Sequence, residues 1–282
     1  MKRLLSIQDI SCIGKCSLTV ALPIISAEGV ETAVLPTAVL STHTAFKGFT
    51  FRDLTGDLRA IAAHWKQEGI KFDAIYTGYL GSFEQIEIVS QIIEDFRTPE
   101  TLIFVDPAMG DNGKLYVGFD AAFAKEMGFL CNQADVIVPN LTEAAAMLGI
   151  AYPGDNCPRE EYENILRMLC SRGARQSLLT GVPDGTDRLG VLALNGETGN
   201  FSEYYRERIA RSFHGTGDVF ASACAGAMTR GASLPDAMKL AVDFTVDSLR
   251  ATVAYPDHNW YGVDFETAVP ALLHGLDAIL KK

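Results

Sequence analysis

An alternation of short apolar strands with helical segments constrains the fold of this chain more than any other sequence feature. Helical segments such as residues 83–96 have apolar side chains about every 3.6 residues. Strands alternating with helices indicate βαβ units, which form a parallel sheet with helices on both faces. We therefore predict an α/β fold with a mostly parallel central sheet. The apolar segments predicted as its strands are residues 4–8, 30–36, 74–77, 102–105, 136–138 and 178–179.

A different pattern occurs in the last third of the chain. Residues 190–194 and 202–205 predict two antiparallel strands at the edge of the sheet, joined by the turn-forming segment 195–200. Helices are predicted at 15–27 and 58–67 early in the chain, and around 234–254 and 267–280 at its end. The sequence has no internal repeat, low-complexity tract or interdomain linker. We therefore predict a single domain over residues 1–282.

Composition and charge narrow the functional class. The chain has 48% hydrophobic and 21% charged residues, which is typical of a globular protein. No apolar run approaches the roughly 18 residues needed to cross a bilayer, so we expect a cytoplasmic protein without membrane contacts. The net charge of −11 argues against a nucleic-acid partner. The six cysteines form no Cys-x-x-Cys pair, so neither a zinc framework nor a disulfide scaffold is indicated.

Polar side chains follow several of the predicted strands. Because the carboxyl ends of parallel strands meet at one edge of a sheet, we expect these side chains to line one crevice. Ligands of open α/β sheets bind at such an edge. The residues concerned are Asp9, Tyr79, Asp106, Asn140 and Thr180.

The segment Gly215-Thr216-Gly217-Asp218 precedes a helix predicted at residues 221–229. Its two glycines allow a sharp turn, and the N–H groups at the start of a helix lack intrahelical partners. Together with the positive end of the helix dipole, these donors form a site for an anion. Asp218 has two interpretations: it caps the helix, or it accepts a proton from an attacking hydroxyl group. The four residues alone do not distinguish the two.

Two further segments permit both a structural and a functional interpretation. Asp106 and Asp111 provide hard oxygen ligands of the kind that Mg²⁺ takes alongside phosphate oxygens, but a carboxylate at a strand end also caps a turn. Asn140 followed by Glu143 fits a capping box at a helix start. The functional alternative has Asn140 contacting phosphate and Glu143 holding the water shell of a metal.

The remaining candidates are weaker. His43 lies in a polar loop and is expected to be hydrogen bonded rather than catalytic. Arg208 and Arg211 either clamp a polyphosphate or form a solvated charged run. The sequence lacks Gly-x-x-x-x-Gly-Lys-Ser/Thr, Gly-x-Gly-x-x-Gly after the first strand, and Gly-x-Ser-x-Gly. These absences argue against a P-loop nucleoside triphosphatase, a nicotinamide-dependent oxidoreductase and an α/β hydrolase.

Taken together, the motifs resemble the ribokinase-like superfamily and, within it, the pyridoxal (vitamin B6) kinase family. The resemblance extends over nearly the whole chain and implies a three-layer α-β-α fold. The segments on which it depends are Ser6-Ile7-Gln8, Ser41-Thr42-His43-Thr44, Thr77-Gly78-Tyr79, residues 106–111, residues 134–143 and Gly215-Thr216-Gly217-Asp218.

The resemblance implies ATP-dependent phosphorylation of the 5′-hydroxymethyl group of pyridoxal, pyridoxine or pyridoxamine. Asp218 would be the base, and Gly215, Thr216 and Gly217 would form the anion hole. The substrate would contact Asp9, Thr44, Tyr79 and Asp218.

The resemblance also implies a nucleotide site that uses Mg²⁺ and a monovalent cation, K⁺ or Na⁺. Asp111 would lie nearest Mg²⁺, with Asp106 and Glu143 as the other metal residues. A homodimer is expected because relatives usually form one. The implied ATP-binding residues are Asp106, Asn140, Glu143, Thr180, Gly181, Ile209, Arg211, Thr216 and Gly217.

Two positions depart from the family pattern. Many relatives have serine where this chain has Asp9, and we hypothesise that the carboxylate favours pyridoxamine or pyridoxine over pyridoxal. Some relatives have a cysteine that engages the aldehyde where this chain has His214. The alternatives are a hydroxymethylpyrimidine kinase, another small-alcohol kinase of the superfamily, or a non-catalytic binding protein for vitamin B6 or nucleotide.

Overall fold

The computed structural model describes residues 1–211 and 213–281. In chain order its strands are β1 (Arg3–Ser11), β2 (Glu31–Leu40), β3 (Phe51–Asp53), β4 (Ala74–Thr77), β5 (Leu102–Val105), β6 (Gly110–Asp111), β7 (Lys114–Leu115), β8 (Val136–Ile137), β9 (Gln176–Pro183), β10 (Arg188–Asn195) and β11 (Phe201–Glu207). The helices are α1 (Leu18–Ala27), α2 (Thr55–Gln67), α3 (Phe83–Phe96), α4 (Ala121–Cys131), α5 (Leu141–Leu148), α6 (Arg159–Ser171), α7 (Thr216–Thr229), α8 (Leu234–Val253) and α9 (Val269–Leu280), and the 3₁₀ helix Phe265–Ala268 precedes α9.

The chain forms two compact units, both assembled from separate stretches of sequence. The first unit comprises the described residues of Met1–Tyr76, Gln91–Thr101 and Ile209–Lys282. The second unit comprises Thr77–Ser90 and Leu102–Arg208. The expectation of a single domain over residues 1–282 stays a prediction.

In the first unit the strand order is β4-β1-β2-β3. Strands β1 and β2 are parallel, and β3 pairs antiparallel with β2 at the edge. Leu4, Leu5 and Ile7 are fully buried in β1, as expected for an apolar strand covered on both faces. The pairing of β1 with β2 is irregular between Gln8 and Ile10. Helix α7 packs against α1 and α8, so its N-terminus is held by the core of this unit.

In the second unit the strand order is β11-β10-β9-β8-β5. Strands β5, β8 and β9 are parallel, whereas β10 pairs antiparallel with both β9 and β11. The antiparallel pair predicted at 190–194 and 202–205 is therefore confirmed. With helices on both sides of a mostly parallel sheet, the predicted α/β class is confirmed as well.

Several predicted boundaries were wrong. The first helix begins at Leu18 rather than residue 15, because Gly14, Lys15 and Ser17 have φ angles of 157°, 49° and 50°, which no α-helix accommodates. Strand β1 continues to Ser11 and β9 to Pro183, so Asp9 and Thr180 lie inside strands instead of after them. Within residues 1–211 and 213–281, no helix combines the length and apolar character required to span a bilayer.

Candidate active site

The glycine turn occupies the N-terminus of α7, as predicted, but the helix starts earlier than residue 221. Gly215 is the N-cap with a φ of 78°, and Thr216, Gly217 and Asp218 form the first helical turn. A side chain at Gly215 would place its Cβ within 3.0 Å of the Lys15 carbonyl oxygen, so only glycine fits there. The first-turn N–H groups and the helix dipole favour an anion at this point.

Asp218 lies in an environment that raises its affinity for a proton. The residue is half-buried. Burial raises the pKa of its carboxyl group to about 7, and the negative charge of Asp9 acts in the same direction. The backbone N–H groups of Ser17 and of Asp218 itself oppose that increase in pKa. A carboxyl group with a pKa near neutrality can accept a proton and release it again, which is what a general base requires.

Helix α2 provides an internal comparison for this turn. It begins with Thr55, Gly56 and Asp57, the same three residue types at the same helical positions as in α7. Its N-cap is Leu54 rather than a left-handed glycine, and Asp57 is exposed. The three residues alone therefore do not make a site; the glycine N-cap and the burial of the carboxyl group distinguish α7.

Asp9 is buried at the pairing irregularity of β1, with 5% of its surface exposed. Its Oδ2 accepts a hydrogen bond of 2.9 Å from the Ser11 hydroxyl, and its Oδ1 accepts one of 2.6 Å from the Ser17 hydroxyl. Burial raises the pKa of Asp9, whereas the two serines lower it. Both carboxylate oxygens are thus engaged by the protein itself.

Sequence reasoning missed the β1–α1 loop, residues 14–17, as part of this region. Lys15 Nζ lies 2.5 Å from Asp264 Oδ1 and 3.0 Å from Glu266 Oε2. Burial lowers the pKa of Lys15, but these two acidic partners raise it above its ordinary value. The left-handed backbone of a lysine and a serine has no signature in the sequence, since glycine is the residue that usually marks such positions.

His43 is hydrogen bonded in the loop, as expected. Its Nδ1 accepts a 3.1 Å hydrogen bond from the Ala45 N–H, so we assign the proton to Nε2, which donates to the Tyr261 carbonyl oxygen at 3.0 Å. The ring of His214 packs against it, with centroids 4.1 Å apart and the ring planes tilted by 32°. Burial and the neighbouring His43 lower the pKa of His214 to about 4, although part of the residue is exposed. Thr44, beside His43, is exposed.

Glu143 holds the candidate residues of the second unit together. Its Oε1 accepts from the Met109 and Gly110 N–H groups at 3.0 and 3.4 Å, and its Oε2 accepts from the Asn140 N–H at 2.9 Å. Asn140 in turn caps α5 by accepting from the Glu143 N–H at 3.0 Å, which confirms the capping box. Burial raises the pKa of Glu143, and these backbone donors offset part of that effect.

The other second-unit candidates lie around this capping box. Asp106 is buried directly after β5, and both Asp106 and Glu143 raise the pKa of the Cys131 thiol, so all three groups are close together. Asn140 forms a parallel bridge with Thr180, which lies within β9 beside Gly181. Tyr79 is half-buried, with its ring 5.6 Å from that of Phe119.

The predicted magnesium residues supply the right chemistry but not a complete shell. Asp111 is exposed, and its two oxygens accept hydrogen bonds of 2.8 and 2.9 Å from Asn112. Within residues 1–211 and 213–281, no three His, Cys, Asp or Glu side chains form a group that could hold a metal ion. Because Mg²⁺ takes few protein ligands and completes its shell with water and phosphate oxygens, carboxylates at Asp106 and Asp111 fit such a site.

The structure divides the predicted site residues between the two units. In the first unit it brings together Asp9, His43 and Asp218, and it places Ile209, half-buried, and Arg211 there as well. The Arg211 guanidinium lies 2.6 Å from His258 Nε2. The second unit contains Tyr79, Asp106, Asp111, Asn140, Glu143, Thr180, Gly181 and Arg208. The expectation that they all line one crevice stays a prediction.

The α/β fold, the helix N-terminus that favours an anion and the acid of near-neutral pKa beside it together fit a small-molecule phosphotransferase. Residues 25–261 match the phosphomethylpyrimidine kinase family model. The chain belongs to this family, and the predicted kinase class and ribokinase-like fold are confirmed.

Relatives agree with this assignment. The chain is 27% identical over 259 residues to a pyridoxine/pyridoxal/pyridoxamine kinase of Bordetella avium (strain 197N), covering 88% of this chain and 84% of that protein. A Bacteroides thetaiotaomicron VPI-5482 protein, described as a phosphomethylpyrimidine kinase and crystallised with pyridoxal, is 42% identical, with a TM-score of 0.91 over 96% of this chain and 95% of that one. The pyridoxal kinase of Lactobacillus plantarum is 33% identical, with a TM-score of 0.88 over 97% of each chain.

Proposed function

We propose that this protein is an ATP-dependent kinase that phosphorylates the 5′-hydroxymethyl group of vitamin B6: pyridoxal, pyridoxine and pyridoxamine. The observation that supports this most directly is the position of the Asp218 carboxyl group in the first turn of α7, behind the left-handed Gly215 N-cap, where burial raises its pKa to about 7. The Bordetella relative named for all three vitamers and the Bacteroides protein crystallised with pyridoxal support the choice of substrate.

In the proposed reaction, Asp218 accepts the proton of the substrate hydroxyl group as its oxygen attacks the terminal phosphorus of ATP. The new oxygen–phosphorus bond forms while the bond from that phosphorus to the bridging oxygen of ADP breaks. The N–H groups of Gly215, Thr216 and Gly217 hold the transferring phosphoryl group, because fixed dipoles stabilise its charge without reorganisation. ADP and the vitamer 5′-phosphate leave, and Asp218 returns its proton to water.

The remaining assignments belong to the same proposal. Thr44 and Tyr79 contact the substrate ring and its polar edge, whereas Asp9 acts indirectly, because both its oxygens already accept hydrogen bonds from Ser11 and Ser17. Asp106 and Asp111 hold Mg²⁺, which when bound neutralises phosphate charge. Glu143 acts indirectly, since both its oxygens already accept backbone hydrogen bonds. Asn140, Thr180, Gly181, Ile209 and Arg211 surround the nucleotide. A monovalent cation, K⁺ or Na⁺, a homodimeric state and a cytoplasmic location complete the proposal.

The decisive variant is Asp218→Asn, which keeps the shape of the side chain and removes the base. We expect kcat for vitamer phosphorylation to fall by a factor of about 10²–10⁴, the usual contribution of a positioned base. ADP release with ATP and Mg²⁺, and mass spectrometry of the phosphorylated vitamer, measure it. Asp57→Asn is the matched control, because Asp57 is at the same helical position of α2 but exposed. An Asp218→Asn enzyme that retains more than about a tenth of wild-type kcat would remove the assigned base.

A hydroxymethylpyrimidine kinase is the second candidate, because the matching family model is that of phosphomethylpyrimidine kinase. The same ADP-release assay, run with hydroxymethylpyrimidine beside the three vitamers, separates the two through their kcat/KM values. Stoichiometric binding of a vitamer without ADP release would instead indicate a non-catalytic binding protein.

A further inference from the structure

Ser17 joins the two carboxyl groups of the first unit. Its hydroxyl donates to Asp9 Oδ1 at 2.6 Å, and its backbone N–H faces the Asp218 carboxyl group and lowers the pKa of that group. Ser17 adopts this position with a φ of 50°, which is unfavourable for a residue with a side chain. Since such a conformation persists only where surrounding contacts impose it, the hydrogen bond to Asp9 is part of what holds the loop. The Lys15 carbonyl of the same loop lies against Gly215, so the loop packs on the turn that precedes Asp218.

Asp9 is oriented toward these protein groups. Its second oxygen accepts from Ser11, and the titratable groups that face it are His43, the Cys16 thiol and Asp218. Cys16 faces both carboxyl groups, and burial with these two negative charges raises the pKa of its thiol far above the ordinary value. Cys16 therefore stays neutral. Among the histidines of the described residues, His43 is the one whose charge acts on Asp9, and it lowers the pKa of Asp9.

We propose that Asp9 is a positioning residue for Asp218: it anchors Ser17, whose N–H orients the Asp218 carboxyl group, and it places a second negative charge beside that group. This inference rests on the proposed function, in which Asp218 is the base. A like charge nearby disfavours ionisation, so Asp9 makes Asp218 a stronger base than an isolated carboxylate would be. The anchoring and the charge are separable by substitution.

Asp9→Asn removes the charge and keeps an oxygen that can accept from Ser17. We expect the pH at which kcat is half-maximal to fall by about one unit, because loss of the like charge lowers the pKa of Asp218. KM for each vitamer should stay within about twofold, since a positioning residue does not contact the substrate. Ser17→Ala breaks the anchor and keeps both charges, so kcat should fall several-fold while the pH midpoint moves by less than about half a unit.

Ser11→Ala is the matched control, because it removes the other hydroxyl donor of Asp9 without touching the link to Asp218. It should change neither the pH midpoint nor kcat by more than about twofold. If Asp9→Asn raises KM more than about tenfold and leaves the pH midpoint unchanged, Asp9 is a substrate contact and the inference is wrong. If its kcat falls equally at every pH, with a lower free energy of unfolding, its role is merely structural and the inference is equally wrong.

A readout independent of turnover separates this inference from the proposed function. Carbon-13 NMR of aspartate carboxyl groups, without substrate, measures the pKa of Asp218 directly, with its signal identified by its loss in Asp218→Asn. A lower Asp218 pKa in Asp9→Asn supports the inference even if the wild type phosphorylates no vitamer. Absence of phosphorylation would overturn the proposed function but not this inference. An unchanged pKa overturns the inference even in an active kinase.

Discussion

Replacing Gly215 by alanine tests whether the glycine turn is fixed by its geometry. Gly215 has a φ of 78°, where an L-residue with a side chain is strained. The new Cβ would also lie within 3.0 Å of the Lys15 carbonyl oxygen and 3.4 Å from Cys16 Cα. Because both neighbours are backbone atoms of the loop that orients Asp218, they cannot yield by a side-chain rotation. The turn and the loop must separate.

The size of the effect follows from these two contributions. The left-handed conformation costs about 1–2 kcal/mol for alanine. Forcing atoms into a packed region costs on the order of 1–3 kcal/mol more. We therefore expect Gly215→Ala to lower the free energy of unfolding by about 2–5 kcal/mol. Since a misplacement of about 1 Å at a reacting centre can reduce the rate by about 10², kcat should fall by a similar factor.

Two glycines of the same unit serve as controls, measured by urea unfolding with circular dichroism. Gly231 has a φ of 100°, but no heavy atom lies within 4 Å of the point that an added Cβ would occupy. Gly231→Ala should therefore lower the free energy of unfolding only by the conformational cost of about 1–2 kcal/mol. Gly217 has neither a positive φ nor a close neighbour, and an alanine in its helical position should leave stability unchanged or raise it by up to about 1 kcal/mol. If Gly215→Ala is no less stable than Gly231→Ala, the contact with Lys15 does not restrain the turn.

Two buried glutamates give opposite predictions. Glu28 is 1% exposed, its side-chain oxygens have no hydrogen-bond partner within the described chain, and burial raises its pKa well above 4.5. Ionisation of Glu28 therefore lowers the stability of the folded state as the pH rises above the pKa that this group has in the unfolded chain. Glu28→Gln should be more stable than the wild type by at least about 1 kcal/mol at about pH 8 and equally stable near pH 4. A gain in stability that does not depend on pH would contradict this. Glu143→Gln places an amide N–H₂ group against a backbone N–H and should lower the free energy of unfolding by about 1–3 kcal/mol. The control Glu126→Gln, at an exposed position, should change it by less than about 0.5 kcal/mol. Equal effects of the two substitutions would refute the role of the Glu143 hydrogen bonds.

The success of the sequence-based prediction differs between elements. Helix α3 and strands β4 and β5 were predicted with their observed bounds, because apolar periodicity reports directly on which face is buried. The capping box of Asn140 and Glu143 was also predictable, since it is a contact between residues three apart in sequence. The start of α1 was not, because the conformation of residues 14–17 depends on contacts with Asp9, Gly215 and Asp218.

The sequence by itself determined the alternation of strands and helices, the antiparallel edge, and the presence of an acid in the first turn of a glycine-capped helix. These features depend on local backbone preferences and on apolar spacing, which neighbouring residues specify. Only the tertiary structure decided what the acid can do. Thr-Gly-Asp begins both α2 and α7. Of their two acids only Asp218, in α7, is desolvated and close to a second carboxylate, that of Asp9 near the start of the chain. Its pKa depends on that packing, because desolvation and charge act through space rather than along the sequence.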